Sequence, residues 1–512
     1  MFDVTPWMRG YATLRSFELC TLDARAAQLR VLDGLLSRAA QTKFGRDHGF
    51  REIKSVQDYQ RAVPVRSYND FHDEYWRPDF PKLRDCTWPG LIPYFALSSG
   101  TTTGSTKYLP CSRETLLDNA RSAHDVLVHH VLNRPFSCVL GGKCLLLGGS
   151  TALKEEAPSV FSGDLSGIEA CEVPWLEAPW VFPPKELALI TDWEEKIERL
   201  AHAAIHEDIR AISGAPNWLL LFFKKLFDLL PGDERLERIL PNLELIIHGG
   251  INFAPYRQMF IGLLEGSHAE MRETYVASEG FMALADSGND EGMRLQLDAG
   301  IFFEFIPAAE LASSQPTHHW IVTAETSVEY ALVVSTCSGL WRYLLGDTVR
   351  IVGRNPPRIV ITGRTSYVLS AVGEHLIAEE IEIAVSAASS GLGVSITDYS
   401  VGSIAAPLAA QTPRHLYIIE LTVASPDSQW AIKFCDALDR KLISLNEDYA
   451  SHRAHNFGLN PPELISVPGG TFARWMKKRG KLGGQHKVPR IINDGALFAD
   501  LRSFALSAAM AC

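Results

Sequence analysis

Four short segments carry residues whose types and spacing suit chemistry on a phosphorylated ligand. The sharpest is SSGTTTGSTK, Ser98 to Lys107, which follows the apolar stretch IPYFAL. Gly100 and Gly104 let the backbone approach a ligand closely. The hydroxyls of Ser98, Ser99, Thr101 and Thr102 offer hydrogen-bond donors, and Lys107 supplies charge, a set that suits a polyphosphate. Three residues separate the two glycines and Lys107 stands three beyond, whereas a Walker loop has four between its glycines and a lysine directly after. This is a different phosphate loop, and a Ser/Thr/Gly-rich surface turn is the other use of such a composition.

RETYVASEG, Arg272 to Gly280, reads as a strand that delivers Ser278 and Glu279 to its end. Ligands of open sheets gather at such ends, and a carboxylate there can hold Mg²⁺ beside phosphates; a solvated strand-end glutamate is the plainer alternative. In WRYLLGDTVRIVGRNPPRIVITGR, Trp341 to Arg364, Gly346 and Asp347 sit between two apolar runs. They form either a hairpin turn or a site where the carboxylate accepts both hydroxyls of a ribose. GGQHKVPRI, Gly483 to Ile491, presents Lys487 from a Gly-rich loop ahead of a proline. A lysine so placed can meet a reacting carboxylate or α-phosphate as negative charge shifts in the transition state, although most lysines are simply solvated.

These residues need elements to hold them. The first ninety residues read as helical, with helical apolar spacing in DARAAQLRVLDGLLSRAAQ. Beyond Leu91, strand candidates follow: CLLLGG after Lys143, LELIIHGG after Asn242, FFEFIP after Ile301, HWIVTAE after His318 and EYALVVSTC after Val328. Helices at Trp193 to His206 and Trp218 to Leu230 interleave with them. After ITGRTSYVLSAVGEHL, a helix (Ile377 to Ala388), the strands VSITDY and HLYIIELTV and a helix from Gln429 to Asn446 form a second unit. The expected division is 1–365 and 366–512, with the boundary near Gly363 to Tyr367.

The chain's 512 residues exceed what one core accommodates. Hydrophobic content of 46% and charged content of 21% describe an ordinary globular protein. A net charge of -11 argues against a nucleic-acid partner. The nine cysteines are dispersed with no CxxC pair, as in a reducing compartment. The start lacks a cationic segment followed by an apolar run, and Asn217 to Leu230, broken by Lys224 and Lys225, is too short to span a bilayer. The expected setting is the cytoplasm, with no membrane partner.

SSGTTTGSTK, YVASEG, RYLLGD and GQHKVPR occur in that order, at intervals that resemble the auxin-responsive promoter (Gretchen Hagen) family of acyl acid amido synthetases. FGRDHGF near the start and the HGG and PY pattern at His248 to Gly250, Pro255 and Tyr256 extend the resemblance over the whole chain. It implies a mixed α/β fold related to the adenylate-forming superfamily. The larger N-terminal domain would consist of a distorted barrel and sheets flanked by helices and would carry the ATP and acyl sites. The smaller C-terminal α/β domain would be mobile. It implies a ligase that spends ATP to make an acyl-adenylate from a small carboxylic acid and passes the acyl group to an amine, an amino acid above all. A monomer or weak dimer is expected.

By the same resemblance, Ser98, Ser99, Gly100, Thr101, Thr102, Gly104 and Lys107 would hold the ATP phosphates. Tyr275 would lie against the adenine with Ala277 and Ser278 beside it, Glu279 would organise Mg²⁺, Asp347 would bind the ribose, and Arg364 would approach the nucleotide. Lys487 would reach the acyl phosphate. The sequence departs from the plant pattern at His375, where a lysine usually follows the Glu of VGEHL; a neutral imidazole supplies no fixed charge but can serve as base for the amine. It departs again at Ala277, where the plant enzymes commonly have a serine. Two rivals share parts of this reading: an acyl-CoA or carrier-protein ligase, and a nucleotide-binding regulator without catalysis. The pairs His129–His130 and His318–His319 lack further ligands at metal spacing, and Ile212 to Trp218 is a candidate acyl-site segment.

Overall fold

The computed structural model describes residues 2–99, 106–148, 153–190, 192–230, 235–250, 253, 256–288, 291–311, 313, 315–364, 368–369, 376–404, 413–422, 428–446, 449–450, 453, 459–481 and 488–510. They fall into two units. One comprises Met1–Phe253 with Met259–Ile361, the other Ala254–Gln258 with Thr362–Cys512.

The N-terminal helices form where the sequence spacing places them. In helix Ala24–Ala39, Asp23 caps the start by accepting the Ala26 N–H at 2.7 Å. Leu32, Leu35, Leu36 and Ala39, spaced three and four apart, are its buried stripe. Gln28 on the same face is fully satisfied, donating to the Leu297 and Ile301 carbonyls and accepting the Phe303 N–H. A buried amide with every group paired pins the helix to the sheet behind it.

That sheet contains twelve of the first unit's described strands. In chain order the unit's strands are β1 (Tyr94–Ser99), β2 (Thr106–Cys111), β3 (Lys143–Leu147), β4 (Lys154–Ala157), β5 (Val160–Gly163), β6 (Val181–Phe182), β7 (Ile209–Gly214) and β8 (Leu245–Gly249). Next come β9 (Glu270–Ala277), β10 (Gly280–Leu284), β11 (Met293–Leu295), β12 (Ile301–Pro307), β13 (His319–Trp320), β14 (Glu329–Thr336), β15 (Tyr343–Arg354) and β16 (Pro357–Arg364). β1, β2, β4 and β5 form a small separate sheet. The large sheet runs β13-β12-β14-β15-β16-β11-β10-β9-β8-β7-β3-β6. One half is parallel, β9, β8, β7, β3 and β6; the pairs recorded in the other half are antiparallel. HWIVTAE, expected as a full strand, gives only the two residues of β13, because Ile321 to Thr323 turn away and Thr323 closes back onto Trp320.

In the second unit, β19 (Ile396–Ile404), β20 (Arg414–Leu421) and β21 (Glu463–Val467) form one sheet, and the short β17 (Val368–Leu369) and β18 (Leu376–Ile377) pair separately. Helices Ala378–Gly391 and Ser428–Leu445 supply its core with Ile381, Val385, Phe434 and Leu438. The mixed α/β class, with a large N-terminal sheet domain and a smaller C-terminal one, is the one the resemblance implies.

Two buried charge clusters lock the first unit. Arg342 and Glu304 are each 1% exposed, and the guanidinium Nε donates to both carboxylate oxygens at 3.0 and 3.2 Å. Arg342 Nη1 also donates to the Gln60 and Val63 carbonyls, and Arg342 has a left-handed φ of 47°. The second cluster surrounds His130, whose Nδ1 lies 2.7 Å from Glu270 and whose Nε2 lies 3.1 Å from the Ser137 hydroxyl. Burial alone would lower the His130 pKa, but the bonds to Glu244 and Glu270 outweigh it and raise it. Burial would likewise raise Glu244 and Glu270, yet His130 and, for Glu270, Arg272 hold both below the usual carboxylate value. His130 is thus a core ion-pair residue.

A raised histidine stabilises the fold fully below its unfolded pKa, and the effect fades as the pH rises through the folded value; depressed carboxylates stabilise above their unfolded pKa and fade in acid. His130→Leu is therefore expected to lower stability most between about pH 4.5 and about pH 6.5, by about 3 kcal/mol. The gap to the parent should narrow toward alkaline pH in thermal unfolding. Arg342→Leu, which leaves the Glu304 carboxylate buried without its partner, should cost about 3–5 kcal/mol. Adding Glu304→Leu should recover part of that loss.

Candidate active site

The parallel strands β7, β8 and β9 are in register, Gly214 beside His248 and Gly249 beside Thr274. Their carboxyl ends therefore lie at one edge of the sheet, where ligands of α/β sheets bind. β9 runs three residues beyond β8 to Ala277 and turns straight into β10, with Ala277 opposite Gly280. Ser278 and Glu279 are the whole of this turn, and both are 8% exposed. Glu279 is thus a largely buried carboxylate at a strand end, contrary to the solvated alternative. Gly280, with φ of 148°, suits this turn, and a Cβ there would meet Ile301 at 2.9 Å.

Gly346 and Asp347 are not a hairpin turn. They lie inside the continuous twelve-residue strand β15, whose pairing to β14 jumps from Leu344–Val333 to Thr348–Ala331. Three residues of β15 thus oppose one of β14, a bulge centred on Gly346, whose φ is 93°. Bulges re-aim side chains, and this one directs Asp347 at Tyr275, whose hydroxyl donates to Asp347 Oδ2 at 2.5 Å.

β15 and β9 stand four places apart in the sheet order. In a flat sheet, at about 4.8 Å per step, that would be about 19 Å, beyond the reach of a tyrosine and an aspartate. The sheet must curl to bring the end of β9 and the bulge of β15 face to face. Its inner wall holds Tyr275, Met282, Tyr330, Tyr343 and Val349 in one apolar cluster.

The hairpin of β1 and β2 carries Ser98 directly opposite Lys107. Lys107 Nζ sits 5.6 Å from the centre of the Tyr68 ring, and the Tyr68 hydroxyl accepts the Tyr108 N–H. Val276 of β9 packs against the cluster that contains Ala96 of β1 and Cys111 of β2, so the hairpin and the strand end that bears Glu279 belong to one neighbourhood. Gly100, Thr101, Thr102 and Gly104 lie outside the described residues, as do His375 and Lys487; Ser99 ends β1 and Arg364 ends β16. The acyl-site segment spans the end of β7 and the first turn of helix Pro216–Leu229, at the same sheet edge.

In the second unit, the strand-like segment just after Lys487 is anchored firmly. Pro489 accepts the Ser400 hydroxyl at 2.6 Å, and Val401 bonds the Arg490 carbonyl and the Ile492 N–H. The Arg490 guanidinium pairs with Asp398 at 2.9 Å, donates to the Tyr256 hydroxyl at 2.9 Å and stacks 4.3 Å from the Tyr399 ring. Burial raises the Asp398 pKa, with Arg490 pulling it back.

Several supporting residues lie outside the four motifs. FGRDHGF is an aromatic bed: Phe44 and Phe50 lie 6.1 and 4.6 Å from Trp341, the residue just before Arg342. A glutamate amid the apolar run FFEFIP and an arginine after a tryptophan were the legible signals for the Glu304–Arg342 pair, since buried charges come paired.

The curled sheet thus brings the buried Glu279 carboxylate at the end of β9 and Asp347 at the bulge inside β15 near the hairpin that carries Ser98 and Lys107. This architecture has counterparts among solved structures. The chain superposes on the solved GH3.15 acyl acid amido synthetase with a TM-score of 0.80, at 20% identity, over 96% of this chain and 95% of that one. It superposes on 2-hydroxyisobutyryl-CoA ligase with a TM-score of 0.61, at 16% identity, over 94% and 91%. Residues 13–156 match the GH3 family N-terminal domain, 295–364 the GH3 family central domain and 379–496 the GH3 family C-terminal domain. The chain belongs to the GH3 family. Among its relatives are the probable indole-3-acetic acid-amido synthetase GH3.1 of Arabidopsis thaliana, 29% identical over 97% of this chain and 94% of that protein, and the jasmonoyl–L-amino acid synthetase JAR4 of Nicotiana attenuata, 21% identical over 94% and 93%. The class read from the sequence, a ligase joining an acid to an amine, is theirs.

Gly249 lies so close to the neighbouring strand that a Cβ would fall 2.2 Å from the Thr274 carbonyl oxygen, whereas at Gly262, on helix Arg257–Leu263, nothing stands within 4 Å. Gly249→Ala should push β8 and β9 apart beside the site and cost about 2 kcal/mol in thermal unfolding. Gly262→Ala should be neutral or slightly stabilising.

Proposed function

We propose that this chain adenylates a small carboxylic acid with ATP and transfers the acyl group to the amine of an amino acid. The observation that carries the site assignment is the Tyr275–Asp347 contact at the curled sheet's edge, beside the buried Glu279. Asp347, held by Tyr275 on one oxygen, takes the ribose hydroxyls, while the Tyr275 ring borders the adenine, flanked by Ala277 and Ser278. Ser98, Ser99, Gly100, Thr101, Thr102, Gly104 and Lys107 cradle the phosphates, and Arg364 adds charge near the nucleotide. A single buried carboxylate suits Mg²⁺, which keeps most of its waters and shares phosphate oxygens; Glu279 would hold it. When bound, the ion neutralises charge on the pyrophosphate leaving group.

In the first step a carboxylate oxygen attacks the α-phosphorus and pyrophosphate leaves. Lys487 meets the charge that develops between carboxylate and α-phosphate. In the second step the amine nitrogen attacks the acyl carbon, AMP leaves and the nitrogen gives up a proton, for which His375 is the base. Adenylation is needed because a free carboxylate has no good leaving group. The C-terminal unit, 366–512, serves as the mobile cap that delivers Lys487 over the sites carried by 1–365. The eight described cysteines are all free thiols, as suits the cytoplasm, and no described helix is long and apolar enough to cross a membrane.

Pyrophosphate exchange into ATP should depend on one of a panel of carboxylic acids, and hydroxylamine should trap the acyl group as hydroxamate. Exchange with no acid at all would leave a nucleotide-binding regulator. Turnover of the adenylate with coenzyme A but with no amino acid would make the chain a thioester ligase. Lys487→Ala should slow exchange by roughly a hundredfold with ATP affinity retained. Asp347→Ala should weaken ATP binding about tenfold or more by calorimetry; unchanged affinity would reduce Asp347 to a partner for Tyr275.

A further inference from the structure

Helix Thr5–Cys20 buries Ala12 and Leu19 but is unlike an ordinary surface helix on its outward side. Its charges point inward: Arg15, 3% exposed, pairs with Asp125 and Asp298 at 2.8 and 2.9 Å, and Arg9 donates to the Ser137 carbonyl. Its outward face is apolar, with Trp7 75%, Leu14 71% and Phe17 72% exposed and Tyr11 43%. Phe2, 71% exposed, packs edge-on to Trp7 at 6.2 Å. Glu18 is the one charged residue on the exposed side of the helix, and it bonds Arg15.

At about 200 Å² per large apolar side chain and their fractional exposures, these five side chains present roughly 650 Å² of apolar surface. That exceeds the roughly 300–600 Å² of the largest patch on an ordinary monomer and approaches the roughly 800 Å² each partner contributes to a standard interface. A lipid surface fits poorly, since interfacial helices flank their apolar face with Lys and Arg; this face offers Glu18 on a chain of net charge -11.

The geometry points to a second copy of this chain as the occupant. Gly10 lies in the middle of the face, and a Cβ there would meet nothing within 4 Å, leaving a notch between Trp7 and Leu14. Two such helices, antiparallel about a two-fold axis beside Gly10, set Trp7 of one copy against the partner's Leu14 and Tyr11 over the partner's Gly10. The contact is isologous, so it closes as a dimer and does not propagate.

Sedimentation equilibrium of the full chain from about 1 to about 100 μM tests this. The expected result is a dimer, with Leu14→Glu and Trp7→Glu raising its dissociation constant at least tenfold while circular dichroism and ATP affinity stay unchanged. Gly10→Leu, which favours the helix but fills the notch, should weaken the dimer as well. A parent chain that stays monomeric throughout, or variants that pair as tightly as the parent, would overturn the proposal. So would a monomer that co-sediments with phosphatidylcholine vesicles, which would assign the face to lipid.

Discussion

The buried pair of Arg342 and Glu304 is the constraint on which the first unit turns. Two charges in the core are tolerated only when hydrogen bonds support them; here the Gln60 amide donates to Glu304, and the Gln60 and Val63 carbonyls accept from Arg342 Nη1. Arg342 itself, with a left-handed φ and its backbone N–H held by the Ser335 hydroxyl, stands at the head of β15. The aromatic bed of Phe44, Phe50 and Trp341 presses on the same point from the helical side. With its first residues immobilised, β15 cannot slide along β14, and the bulge at Gly346 stays where Asp347 meets Tyr275. The pair therefore sets the register of the candidate nucleotide site without taking part in it.

A second constraint comes from the sheet itself. Parallel strands end together, so the turn of Ser278 and Glu279, the close-packed Gly249 and the start of helix Pro216–Leu229 all collect at one edge. The antiparallel half then curls until β15 faces that edge. Each half alone presents only part of the candidate site: the parallel half brings a buried carboxylate and an aromatic ring, the antiparallel half an aspartate. Curling converts two edges into a cleft wall. The anchoring of Pro489, Arg490 and Ile492 to β19 does a comparable job in the second unit, fixing the chain from Pro489 onward.

Helix Thr5–Cys20 shows the opposite balance. Its inward Arg15 is held by Asp125 and Asp298, with Ala12 and Leu19 buried on the same side, while its bulkiest apolar residues are left for the outside. Apolar patterning along a helix normally identifies the face that meets the core; here the larger apolar stripe lies on the face that the core does not use.

Much of the candidate site was legible in residue order. The four motifs named the residues, the spacing of SSGTTTGSTK excluded a Walker loop, and apolar runs such as LELIIHGG and EYALVVSTC located strands within a residue or two, because local periodicity and composition are written along the chain. What the sequence could not determine is what depends on contacts between distant residues. Gly346 and Asp347 fit a hairpin turn as well as a ligand site until the pairing of β15 with β14 revealed a bulge. Glu279 fitted a solvated strand end until its burial was visible, and HWIVTAE carried strand composition that Thr323 overrode by closing a turn. His130, beside His129 but without further ligands at metal spacing, had no role legible in the sequence and is a core ion pair with Glu270, 140 residues away in sequence. Residue types and their local spacing thus determined the chemistry on offer; the tertiary structure alone decided which groups meet, because sheet curl, register and the pairing of buried charges are settled by long-range packing.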